Sequence, residues 1–85
     1  MNKKYEFTGE TLELYGITLH RIRAVKDSEL MDGSKVHAGD LGGWIETEDN
    51  LSHDGSAWVA DSAQVYGSAQ VYGNAGVYDS ARICG

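Results

Sequence analysis

Asp54-Gly-Ser-Ala-Trp-Val59, Ala60-Asp-Ser-Ala-Gln-Val65, Tyr66-Gly-Ser-Ala-Gln-Val71, Tyr72-Gly-Asn-Ala-Gly-Val77 and Tyr78-Asp-Ser-Ala-Arg-Ile83 follow one another without a break. Each hexad ends in a β-branched residue with an alanine two positions earlier, and small or polar residues precede that alanine. Side chains two apart on a strand point the same way. Ala57, Ala63, Ala69, Ala75 and Ala81 are therefore expected to share an inward face with Val59, Val65, Val71, Val77 and Ile83. Intervening pairs such as Gly67-Ser68 and Gly73-Asn74 tolerate left-handed backbone angles or bond their own backbone, and they turn the chain after each short strand. The pattern predicts a solenoid of strands and corners.

An aliphatic residue followed four positions later by a small one occurs at Val59 to Ala63, Val65 to Ala69, Val71 to Ala75 and Val77 to Ala81. In this the sequence resembles the hexapeptide-repeat superfamily. The resemblance implies an all-β left-handed parallel β-helix of about two coils with three hexads per turn. Val59 would then lie against Val77, Val65 against Ile83, and Ala57 against Ala75. The upstream segments KYEFTGE (Lys4 to Glu10), LHRIRA (Leu19 to Ala24), GDLGGWIE (Gly39 to Glu46) and NLSHDG (Asn50 to Gly55) resemble short phage and prophage hexapeptide proteins. That likeness implies an architecture and a genomic setting more than an activity.

Upstream of the hexads, Tyr5 and Phe7 alternate with polar residues, as do Leu12 and Leu14, and Tyr15-Gly16 separates these runs from Ile17 to Val25. Two or three antiparallel strands are expected. Leu19 and Ile22 stand three apart, which calls for a bulge near Arg21 or a short helix over residues 19–26. Residues 27–34, around Asp32-Gly33, read as an exposed loop. Ile45 and Leu51 form a degenerate hexad, with two extra residues inserted before Val59. The expected organisation is a strand cap over residues 1–38 and a β-helix over 39–85, folding as one unit.

A chain of 85 residues buries only roughly 60% of the surface its unfolded form exposes, so no deep pocket is expected within one subunit. No apolar run is long enough to span a bilayer, and Met1 to Glu6 lead into an alternating segment instead of a signal-peptide core. A soluble, cytoplasmic protein of a bacterial host is expected. The lone Cys84 makes no internal disulfide.

Residues 1–35 carry six basic and six acidic groups, whereas residues 36–85 carry Arg82 against seven carboxylates, so the net charge of −6 belongs to the second half. Direct nucleic-acid binding is disfavoured there, because it rests on Lys and Arg contacts to phosphate. The natural counterpart is a basic or nucleic-acid-binding protein.

Catalytic signals are weak. Many hexapeptide proteins are acyltransferases with a histidine base, but His20, His37 and His53 all lie outside the regular hexads. No long loop interrupts the hexads to clamp an acyl carrier. The same histidines lack the close pairing of a shared zinc site. Cys84 has no histidine near it in sequence, Ser56, Ser62, Ser68 and Ser80 suit corners, and Gly42-Gly43 precedes no helix. No enzyme activity, cofactor or metal is expected.

Tyr66, Tyr72 and Tyr78 each follow an inward aliphatic residue and should point outward, as should Trp58, whereas Trp44 should be core. With Asp49, Asp54 and Asp61 they form the expected partner-binding surface. Nothing covers the last hexads in sequence, so Tyr72, Val77, Ile83 and Cys84 are expected to join two chains as a homodimer. The expected function is a phage accessory protein that binds a partner, such as an anti-CRISPR-like inhibitor of a host defence complex. A polymer-forming structural role and an acyltransferase-like enzyme are the alternatives.

Overall fold

The structure, a computed structural model, describes residues 3–30 and 33–84. Strands β1 (Tyr5–Leu14) and β2 (Ile17–Ala24) form an antiparallel hairpin around Tyr15 and Gly16, whose φ angles are 51° and 81°. A two-residue loop with both φ angles positive matches the natural twist of paired strands. The two alternating runs upstream of this turn merge into one strand, with a register shift between Phe7 and Thr11. A second shift, between Arg21 and Arg23, separates Leu19 from Ile22 and leaves both fully buried. Residues 19–24 are strand, not helix.

The described part of the expected loop over residues 27–34 holds a short strand and one buried side chain. Short strands β3 (Ser28–Glu29) and β4 (Lys35–Val36) pair antiparallel, and Leu30 and Val36 are buried. Asp32 lies outside the described residues, as do the N-terminal Met1 and Asn2 and the final Gly85.

Five further strands follow: β5 (Leu41–Ile45), β6 (Trp58–Val59), β7 (Gln64–Tyr66), β8 (Gly76–Val77) and β9 (Arg82–Cys84). A single 3-10 turn, Glu48–Asn50, lies between β5 and β6. Strand β6 pairs with β8 in parallel, Val59 against Val77, and β7 pairs with β9, Val65 against Ile83. Strand β5 also pairs in parallel with β7, but with Ile45 against Val65, and an isolated bridge joins Leu51 to Val71. These earlier pairings span two residues more than the later ones. The extra length falls between Leu51 and Val59.

The expected left-handed parallel β-helix of about two coils is not the architecture. The sheets are mixed: one runs in the order β1-β2-β5-β7-β9, antiparallel as far as β5 and parallel beyond it. An antiparallel pair, β3-β4, and a parallel pair, β6-β8, stand beside it, and among the described residues no sheet closes on itself. The physical reason lies in β2. Instead of capping a column of parallel strands, it hydrogen-bonds the edge of β5 directly and continues the same sheet in the opposite sense. The chain is an all-β, mixed-sheet domain.

The corners between hexads share one geometry. Gly55, Asp61, Gly67, Gly73 and Asp79 all have φ between 56° and 69°. Layers meet closely here: a Cβ on Gly55 would lie 2.5 Å from the carbonyl oxygen of Gly73. Strand β5 approaches as tightly, because a Cβ on Gly43 would lie 2.6 Å from the carbonyl oxygen of Ala63.

Tyr5, Ile22, Ile45, Leu51, Ala57, Val59, Ala63 and Val65 belong to one core that draws on both halves of the chain. Burial fades along the hexads. Val59 and Val65 are wholly enclosed, Val77 is 8% exposed and Ile83 40%. Of the alanines expected inward, Ala57 and Ala63 are buried and Ala69 is partly so, whereas Ala75 and Ala81 are exposed. Strands β8 and β9 are sheet edges, and no described residue lies beyond them to shield that end of the core.

Candidate functional site

The expected partner-binding residues divide into an outer group and one that is not outer at all. Tyr72 is 67% exposed and Tyr78 37%, while Tyr66 is half-buried. Asp49, Asp54 and Asp61 are exposed, and so is Asp79. Hydrogen bonds between layers brace the corners and hold the Asp61 side chain in place. Asp61 Oδ2 accepts the Asp79 backbone N–H at 3.3 Å, and the Ser62 N–H donates to the Asp79 carbonyl at 2.9 Å. One corner further round, Ser56 Oγ donates to Asn74 Oδ1 at 2.9 Å.

Trp58 does not belong to this surface. It is 3% exposed and part of the core. Its strand partner is Gly76, and the space a side chain would take there is filled by the ring of Tyr78, 2.6 Å from the position of a Cβ. Trp44, expected in the core, is only partly buried and lies beneath the Arg21 guanidinium, 5.6 Å from the ring centroid. The two tryptophans thus have each other's expected environment.

Of the expected oligomer-interface residues, Tyr72, Ile83 and Cys84 are exposed and Val77 is buried. Tyr66 pairs with Cys84 across β7 and β9. The Tyr66 phenol is pushed up, by loss of water first and then by its hydrogen bond with Cys84.

Sequence reasoning placed Tyr5 on a strand and gave no role to Lys4, Glu48 or Asn50, and none in the fold to His53, yet these residues build the most connected polar cluster. The Lys4 N–H donates to His53 Nδ1 at 3.0 Å. The buried Lys4 ammonium donates to the carbonyl oxygens of Ala57 and Gly55. Tyr5 Oη donates to the carbonyl of Leu51, and Glu48 Oε1 meets His53 Nε2 at 2.8 Å. Because Nδ1 is occupied as an acceptor, the neutral imidazole carries its proton on Nε2 and donates it towards Glu48.

Asn50, 1% exposed, accepts at Oδ1 from the N–H groups of Glu46 and Thr47 and donates from Nδ2 to the carbonyls of Gly67 and Ala69. Burial draws the Lys4 ammonium down to about 8, with Lys26 acting the same way and Asp54 opposing. Burial, with Glu48 and Asp49, raises the Tyr5 phenol, and the His53 hydrogen bond lowers the Glu48 carboxyl. The Lys4 ammonium spends its bonds on backbone carbonyls. The cluster is an anchor for the first strand.

The other histidines stand apart from it. His20 stacks on Phe7 with centroids 4.5 Å apart. His37 lines an open cleft of about 310 Å³ with Asp27, Ser28, Glu29, Lys35 and Val36. Among the described residues no three His, Cys, Asp or Glu side chains are grouped to hold a metal ion. Among them, too, no helix is long and apolar enough to cross a membrane. No protein-family model matches the sequence, and no curated protein does.

Proposed function

We propose that the chain is a non-catalytic accessory protein that binds another protein through its acidic and aromatic corners. One observation carries the reading: Tyr72 and Tyr78 stand exposed among Asp54, Asp61 and Asp79 on corners braced by hydrogen bonds between layers. A braced corner loses little freedom on binding, and tyrosines supply large contact area at low entropic cost. With a net charge of −6, the complementary partner is basic, and a nucleic-acid-binding protein fits best. In a phage or prophage setting this describes an inhibitor that covers the nucleic-acid surface of a host defence complex.

Affinity capture with a tagged chain tests the proposal, using a Tyr66→Ala, Tyr72→Ala, Tyr78→Ala variant and an Asp54→Asn, Asp61→Asn variant, both checked for folding by circular dichroism. A basic partner retained by the parent and lost by both variants supports it. Equal recovery on all three overturns it.

A second reading has its own observation. The unpaired edges of β8 and β9 and the partly exposed Ile83 suit pairing with a second copy, as a homodimer or a longer assembly. Sedimentation across a range of concentrations separates a dimer, a polymer and a monomer, and a monomer throughout would remove this reading.

A further inference from the structure

The five-stranded sheet carries a row of side chains unlike the rest of this acidic chain. Arg21 on β2 pairs with Trp44 on β5, Trp44 with Gln64 on β7, and Gln64 with Arg82 on β9. Directly paired residues share a face, so these four side chains line up across four strands on the face opposite the inward Ile45 and Val65. The chain has three arginines, at 21, 23 and 82. Arg23 is engaged by the Glu6 carboxylate, with Nε 3.0 Å from Oε2. Arg21 donates from Nε to the Gly42 carbonyl at 3.2 Å, but among the described residues neither it nor Arg82 has a carboxylate partner. Glu46 lies on the next row, where its Oε1 accepts the Gly67 N–H.

We propose that this row, Arg21–Trp44–Gln64–Arg82, is a docking surface for an extended acidic peptide segment of another protein. It is a second surface, of opposite charge to the tyrosine and aspartate corners. Strands in a sheet lie about 4.8 Å apart, so three spacings place the two arginines roughly 14 Å from one another. An extended peptide rises about 3.3 Å per residue, and its alternate side chains point one way. Residues i and i+4 of such a peptide lie about 13 Å apart on one side. Two carboxylates with that spacing reach both guanidiniums, and residue i+2 rests on Trp44 and Gln64. The segment therefore reads acidic-x-apolar-x-acidic. Guanidinium–carboxylate pairs are the charge-assisted contacts for which arginine is suited. Two arginines without a carboxylate partner among the described residues, on a chain of net charge −6, do not supply the many phosphate contacts on which nucleic-acid affinity depends.

The test is fluorescence anisotropy at about 0.15 M salt, where exposed long-range charge effects are screened. The probes are a labelled peptide with the core Glu-Ser-Leu-Ser-Glu, its Gln-Ser-Leu-Ser-Gln counterpart, and oligothymidylate. Saturable binding of the acidic peptide is expected, with the neutral one weaker by about tenfold or more. Arg82→Gln and Arg21→Gln should each weaken the acidic peptide by about tenfold, while Lys35→Gln, a cation outside the row, leaves it unchanged. Arg82 is exposed at a sheet edge, so if Arg21→Gln fails to fold, Arg82→Gln alone decides. No binding, equal binding of both peptides, an equal loss in Lys35→Gln, or tighter binding of oligothymidylate would each overturn the proposal. Self-association of the parent abolished by Arg82→Gln, with no peptide bound, would overturn it in favour of a second copy. None of these results depends on whether a basic partner is captured at the corners.

Discussion

The imidazole of His53 lies flat against the ring of Tyr5, with centroids 4.1 Å apart and planes 10° from parallel. The same imidazole takes the Lys4 N–H on one nitrogen and faces Glu48 with the other. His53→Ala removes all three contacts and leaves the Lys4 N–H without its acceptor. A loss of about 2–4 kcal/mol is expected in urea unfolding. His53→Phe keeps the stack and should lose roughly half as much. Equal losses in the two variants would mean that the stack on Tyr5 contributes nothing.

Stability should depend on pH at both ends of the range. The folded Lys4 ammonium titrates at about 8 against an ordinary 10.5, so the unfolded chain holds this proton more tightly. Below 8 the group is charged in both states and its burial lowers stability. From about 8 to 10.5 the unfolded state binds more protons than the folded one, and stability rises with pH. Glu48 acts at the acid end: its folded value lies below the ordinary 4.5, so its contribution is present above 4.5 and is lost as the pH falls through the folded value. Glu48 is exposed, so its share is small. Lys4→Met should abolish the alkaline rise and Glu48→Gln the acid-side contribution. Urea titrations that show no rise in the parent between about pH 8 and 10 would count against the Lys4 account.

The Asn50 amide makes four hydrogen bonds to backbone groups of two separate segments, two at Oδ1 and two from Nδ2, and a long fifth with the Thr47 hydroxyl. Asn50→Ala strands these buried partners and should cost about 2–4 kcal/mol. Asn50→Asp keeps both acceptor bonds but turns a carboxylate oxygen towards the Gly67 and Ala69 carbonyls. It should be worse at neutral pH than the alanine variant and recover part of the loss in acid. Calorimetric melting at two pH values compares them.

Two corner glycines with nearly the same backbone angle should respond differently. Gly55 and Gly73 have φ of 69° and 64°, a region that asparagine tolerates better than other side chains. A Cβ at Gly73 meets nothing within 4 Å, whereas one at Gly55 meets the Gly73 carbonyl. Gly73→Asn should stay within about 1 kcal/mol of the parent, and Gly55→Asn should lose about 2–3 kcal/mol more. Similar unfolding midpoints would show that the layers part easily at this corner.

The two tryptophans can be told apart by fluorescence. Trp58 is enclosed and Trp44 is partly open beside Arg21. Iodide should quench the parent and the Trp58→Phe variant, because the guanidinium attracts the anion to Trp44, and should scarcely affect Trp44→Phe. Strong quenching in Trp44→Phe would contradict the buried position of Trp58.

The period of six carried information about the hexads because every inward pair repeats the same chemistry. The left-handed corners at Asp61 and Asp79 follow from such regularity, whereas Val59 against Val77 is what the resemblance to hexapeptide proteins implied. The architecture did not follow, because nothing in the residues of β2 announces that it will pair with the edge of β5. Trp58 was misplaced because alternation says little about a strand of two residues. Asn50 and the Lys4–Tyr5–His53 cluster were invisible because each of their sets of contacts joins segments that no local pattern links. The arginine row needs the registers of four strands at once, and Arg21 lies beside a bulge that spoils counting by twos.

The contacts of Lys4 with Ala57 and of Tyr5 with Leu51 join residues 53 and 46 positions apart. Synthesis proceeds at about 5–20 residues per second, so roughly 3–10 s separate the appearance of Lys4 from that of its acceptor. Strand β1 thus leaves the ribosome well before the segment that fastens it, and until then the nascent chain carries a hairpin whose inner face lacks these acceptors.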